Sequence, residues 1–108
     1  MKVTIPRKIK MLTHTYDIVF DNRELAASSC IGLTRFLHQK IILSKGVEPD
    51  SELNQIFLHE ILHTIERHFG MKLDDMDIDR LAEGLAVFLF DNLGIEFDWE
   101  AYENGDIT

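Results

Sequence analysis

The residues with the most chemical promise stand together in the run "LNQIFLHEILHTI", residues 53–65. His59 and His63 are four positions apart, so on a helix they share one face about one turn apart. Both can aim a ring nitrogen at one point, and neutral imidazole is a good zinc ligand. Glu60 stands one step round and cannot bind the same ion in the same way. It can reach a water bound to that ion and act as a base, which is the mechanical content of the H-E-x-x-H spacing. The expectation is a metal site with His59 and His63 as ligands and Glu60 as the catalytic base. The competing reading is a solvated helix face that carries His and Glu by chance.

A catalytic zinc takes three protein ligands and keeps one position for water. His68 is nearest along the chain but lies about half a turn round from His59, so it cannot join the same ion while the helix continues. It is expected to interact with the helix dipole instead. Glu83, in "DRLAEGLAVFLFDN", is the better candidate. Its neighbours at helical spacing are mostly apolar: Met76, Ala86, Val87 and Phe90. A carboxylate placed so is costly to bury unless it is paired or bound to a cation. Glu83 is therefore the expected third ligand. Asp79, one turn earlier, is the alternative ligand or the group that orients a histidine.

These side chains need a scaffold. The chain has 108 residues, enough for one core and one domain, 1–108. Residues 1–50 read as mostly β. "TYDIVFD" (15–21) alternates Tyr16, Ile18 and Phe20 with Asp17, Val19 and Asp21, a half-buried strand. "VTIPRKIKML" before it reads as a partner strand, with Thr13 and His14 in the turn. "NRELAAS" (22–28) reads as a short helical turn. "CIGLTRF" (30–36) and "KIILS" (40–44) read as two strands joined by a short connection. Residues 51–94 read as two helices. The first starts near Ser51 as N-cap and stops near Gly70. Its core stripe is expected to be Leu53, Phe57, Ile61, Ile65 and Phe69, opposite the histidines. The second opens in "DDMDID" and runs to Gly94. Residues 95–108 form an acidic tail that should pack through Phe97, Trp99 and Tyr102. The class is α+β.

A net charge of −8 argues against a nucleic-acid partner and against attraction to anionic membranes. The single cysteine, Cys30, rules out an internal disulfide and fits a reducing interior. It reads as a buried strand residue. No signal-like or membrane-spanning run stands out, so the cytoplasm is the expected location. Oligomeric state is not legible.

Over about Ile31 to Phe90 the chain resembles the small gluzincin metallopeptidases, of the ImmA/IrrE kind or the minimal forms. "ELNQIFLHEILHTIERHFG" is similar to their active-site helix, and "EGLAVFLF" to the helix that brings a Glu, with Glu83 and Ala86 in place. "QKIILS" is similar to their cleft strand. The resemblance implies a zincin-like fold: an antiparallel or mixed sheet of three or four strands packed on an active-site helix and a second, Glu-bearing helix. It implies one Zn2+ held by His59, His63 and Glu83, with Glu60 activating water. Lys40, Ile41, Ile42, Leu43 and Ser44 would dock the substrate by β-addition. The implied activity is zinc-dependent hydrolysis of a peptide bond in a specific intracellular protein, a regulatory protein being one kind of substrate. The alternative is a dormant or latent zincin-fold regulatory or binding module, with the tail across the cleft. Candidates for an oxyanion donor are His14, Tyr16, His38 and Tyr102.

Overall fold

The computed structural model describes residues 1–103. In chain order the elements are β1 (Lys2–Thr4), β2 (Lys8–Met11), β3 (His14–Phe20), α1 (Asn22–Ser28), β4 (Gly32–Arg35), β5 (Lys40–Leu43), α2 (Asp50–His68) and α3 (Asp75–Ala86). A π-helical segment, Val87–Asn92, continues α3, and β6 (Glu96–Asp98) and α4 (Glu100–Glu103) follow. Strands β2-β3-β5-β4 form one mixed sheet, and β1 and β6 form a small parallel pair.

The alternation in β3 buries Tyr16, Ile18 and Phe20 on one face. Its neighbour β5 behaves differently. Ile41, Ile42 and Leu43 are each 0% exposed, because α1 and α2 both pack on β5. A strand covered on both faces needs a continuous apolar run rather than alternation. β5 is also paired on both edges, parallel to β3 and antiparallel to β4. That corrects the expected docking strand. Lys40, Ile41, Ile42 and Leu43 have their ladder positions filled, and Ser44 spends its hydroxyl on the carbonyl of Ile31, 2.7 Å away. Among the described residues, the open edge of this side of the sheet is β4.

The N-terminal stretch is not one strand. It divides at Pro6, where a ladder donor is missing: β1 pairs with β6, and β2 forms a hairpin with β3. The hairpin turn falls on Leu12, with φ of 58°, and Thr13, so that His14 already belongs to β3.

α2 starts at Asp50 rather than Ser51, with Pro49 in the cap position and no side-chain cap bond. Its buried residues are Leu53, Ile56, Phe57, Leu58, Glu60, Leu62 and Thr64. The expected single stripe is therefore too narrow: Ile61 and Ile65 are half-buried, and Phe69 is 56% exposed. The reason is that α2 is covered from two sides. Leu53, Ile56 and Phe57 join the sheet's core with Tyr16, Ile18, Phe20, Ile41 and Leu43. Leu58 and Leu62 join Ile78 and Ala82 of α3 in a second cluster.

Asp74 caps α3 by accepting from the N–H of Asp77 at 2.8 Å. The α-helical part stops at Ala86, short of the expected Gly94. The wider π turn follows and closes with the N–H of Leu93 on the carbonyl of Phe88, five residues back. The tail packs through Phe97, Trp99 and Tyr102, as an aromatic group on Phe20, Phe57 and Phe90. These residues sit on the sheet side of α2, so the part of the tail through Tyr102 does not cross the histidine cleft. Residues 104–108 of the expected tail lie outside the described residues. Among the described residues, no helix is long and apolar enough to cross a membrane.

Candidate functional site

The site is built on the middle of α2, where β4 crosses it. Glu60 is only 5% exposed, which is unusual for a carboxylate. It is held there by Thr34 of β4, whose Oγ1 donates to Glu60 Oε1 at 2.7 Å. Gly32 makes the crossing close. A Cβ at that position would lie 2.5 Å from Ile56 Cγ2 and 3.2 Å from Glu60 Oε2. Only a residue without a side chain lets the strand pass so near the helix. One turn on, Thr64 is fully buried and returns its hydroxyl to its own helix, at 2.6 Å from the carbonyl of Ile61 and 3.1 Å from that of Glu60.

The two histidines, both half-buried, form the middle of a chain of four side chains. Their Nε2 atoms lie 3.0 Å apart. His59 Nδ1 lies 2.8 Å from Asp79 Oδ1. His63 Nδ1 lies 3.4 Å from Glu66 Oε1. Glu66 in turn accepts from the N–H of Leu73 at 2.6 Å. That backbone bond holds the Glu66 carboxyl below the usual carboxylate range; desolvation opposes it and His63 adds to it. Each carboxylate thus meets the outer nitrogen of a ring, while the inner nitrogens face each other.

Beside this chain lie two adjoining cavities. One, of about 430 Å³, is lined by residues 29–32 and by Glu52, Gln55, Ile56, His59, Glu60 and Asp79. The other, of about 530 Å³, runs along β4 and reaches His63 and Asp75. Cys30, Gly32, His59, Glu60 and Asp79 line both. Together they make a cleft with β4 as one wall, α2 as the floor and the first turns of α3 as the other wall. Cys30 is exposed and precedes β4, with Sγ donating to the carbonyl of Ser28 at 3.2 Å, so the buried strand position expected for it is corrected.

The expected third ligand is elsewhere. Glu83 is exposed and lines a different cavity, with Asp50, Asn54 and Phe90. The expected oxyanion donors are also outside the cleft. His14 is exposed beside Gln39, and Tyr16 is hydrogen-bonded to His68. His38 is exposed in the turn before β5. Tyr102 donates to the carbonyl of Pro6 at 2.7 Å, and burial pushes its hydroxyl up to about 12, against the pull of Arg7. None of the four lines either cavity of the cleft. His68 meets Tyr16 and His14 rather than the end of its own helix alone.

The expected metal centre is overturned by this placement. Among the described residues, no group of three or more His, Cys, Asp and Glu side chains could hold a metal ion. The physical reason is visible in the chain of four: Asp79 and Glu66 sit behind the imidazoles and Glu83 faces another cavity. Among the described residues, a third donor does not converge on the two inner nitrogens. With the donor set go the Zn2+ cofactor, the zinc-dependent hydrolysis with Glu60 as base, the hydrolase assignment, and the gluzincin resemblance drawn from "HEILH" and Glu83. No family model, no curated protein and no solved structure matches the chain.

Thr34, Gly32, Glu66 and Asp75 are the site residues that sequence reasoning missed. Gly32 carried a usable signal, since a glycine inside a strand pattern marks a bulge or a close backbone approach. The other three carried none.

Proposed function

We propose that the chain is a binding module that takes an extended segment of another protein as an added strand on β4, over the floor made by His59, Glu60 and His63. The observation that carries this reading is the direction of the backbone groups at the sheet's edge. Asp17 N–H reaches the Gln39 carbonyl at 2.9 Å, and Asp21 N–H reaches that of Leu43 at 3.2 Å. Successive residues of a strand turn their backbone groups to opposite sides. Gln39, Ile41 and Leu43 therefore face β3, while Lys40 and Ile42 face β4. Their partners there are Arg35 and Leu33. The N–H and C=O of Gly32 and Thr34 are left pointing outward along the cleft. An extended peptide satisfies such a row with main-chain bonds, and pockets beside it choose its side chains. The exposed free thiol of Cys30 supports a reducing compartment, the cytoplasm, as the place of action.

The test uses the full chain and a displayed library of random ten-residue peptides, followed by amide hydrogen exchange with a captured peptide bound. The expected result is new protection at Gly32 and Thr34. Leu33 and Arg35, already bonded to β5, stay as they were. A library that yields no binder, or a bound peptide that leaves Gly32 and Thr34 unprotected, overturns the reading. Protection at both residues in the free chain that disappears on dilution identifies a second copy as the occupant, and overturns it too.

A further inference from the structure

We propose that the captured segment carries a lysine or arginine, and that its cationic end sits at Glu60 Oε2, between Glu60 and Asp79. This rests on the peptide-binding reading above and adds the chemistry of the residue that is read.

Three observations converge. The first is the state of Glu60. A carboxylate 5% exposed is costly unless its oxygens are bonded or paired. Thr34 satisfies Oε1. Among the described residues no hydrogen-bond donor meets Oε2, and Glu60 lines both cavities. The second is the sign of the cleft. Glu52, Glu60, Asp75 and Asp79 line it, and among the described residues no lysine or arginine does. Arg35, the nearest cation along β4, is held on the far face by Ser28 and Glu24. The third is shape. Gly32 lets β4 pass close over Glu60, and Ile31 and Ile56 line the cavity beside it. An aliphatic stem can lie against those two isoleucines while its charged end reaches the carboxylate.

The geometry of an added strand fits this placement. Gly32 and Thr34 turn toward α2, since a Cβ on the first would meet Ile56 and the hydroxyl of the second meets Glu60. Alternate side chains of a strand added beside them point the same way, down onto Glu60. A basic residue at one of those positions meets the carboxylate at a partly desolvated site, where charge-assisted bonds are stronger than on open surface.

The experiment measures binding of captured peptides to the full chain by calorimetry. Each peptide is compared with a copy in which its lysine is acetylated or its arginine replaced by citrulline. The expected loss is roughly tenfold or more in affinity. Glu60→Gln should erase most of that difference, since Gln keeps an acceptor for Thr34 and removes the charge. Asp79→Asn, on the exposed rim, should reduce it and guards against a folding defect at Glu60. Equal affinity for charged and neutral copies overturns the inference while the strand-addition reading stands. A discrimination unaltered in both Glu60→Gln and Asp79→Asn also overturns it. Failure to capture any peptide removes both.

Discussion

Tyr16 Oη and His68 Nε2 lie 2.6 Å apart, a hydrogen bond that ties the first half of β3 to the last turn of α2 across 52 positions of sequence. The His14 ring lies 4.7 Å from that of His68 and Arg67 is its chain neighbour. Desolvation, then the charges of His14 and Arg67, hold His68 below its ordinary value of 6.5. The folded state thus prefers the neutral ring more than the unfolded chain does. Its contribution to stability is complete above about 6.5 and is lost as pH falls from there through the lowered folded value. Thermal melts between pH 7.5 and 5 should show a fall in midpoint that is shallower in His68→Gln. Parallel pH profiles for the two proteins would refute this role for His68.

Gly32→Ala should destabilise the fold by about 1–3 kcal/mol, the cost of overpacking a tight contact. The added methyl would stand 2.5 Å from Ile56 Cγ2. Ile56→Ala removes the obstructing atom, so the double variant should lose less than the two single losses combined. A urea double-mutant cycle measures that coupling; simple additivity would mean that β4 shifts freely and the contact is not restrictive.

Trp99 is 2% exposed, has its ring 5.2 Å from that of Phe57, and donates from Nε1 to Asn54 Oδ1 at 2.7 Å. Trp99→Ala should cost about 3–5 kcal/mol, a large part of the roughly 5–15 kcal/mol typical of a whole domain. Trp99→Phe keeps most of the packing and loses one hydrogen bond, at about 1 kcal/mol. Urea midpoints should rank wild type, Phe and Ala in that order. An Ala variant as stable as the Phe variant would contradict the packing role.

Asp74→Ala removes the cap of α3 and should cost about 1 kcal/mol. The same turn presents Asp75 and leads to Asp79 on the cleft wall. Faster amide exchange at residues 75–79, with β4 unaffected, is the expected signature. Unchanged exchange there would show that packing of Ile78 and Ala82 alone holds the turn.

Some of this was legible in the letters and some was not, for physical reasons. β3 and α1 follow local rules: one buried face in alternation, and an Asp21 side chain accepting from the N–H of Glu24 to start seven helical residues. α2 defeats the single-stripe rule because two different partners cover it, so Ile56, Leu58 and Leu62 are buried alongside Leu53 and Phe57. At the site, the four-residue spacing was enough to bring the two imidazoles together. It carried nothing about which nitrogen each would turn inward or which carboxylate would stand behind it. That depends on how α3 packs on α2. The packing directs Asp79 to His59, and Glu83, one turn on, toward Asp50 and Phe90. The role of Thr34 is a matter of strand order, which places β4 rather than β5 at the edge.

The small parallel sheet joins Lys2, Val3 and Thr4 to Glu96, Phe97 and Asp98. The two strands of this pair are therefore drawn from segments more than ninety positions apart, with β2 to α3 made between them. Until residue 98 is free, β1 has no ladder, and Phe97 and Trp99 cannot close over Phe57. Pairings so distant in sequence form slowly because the loop entropy is spent before the contact is made. Vectorial synthesis lets the β2–β3 hairpin and α2 assemble early, but the aromatic side of α2 stays open to solvent and to chaperones until the segment 96–99 has followed.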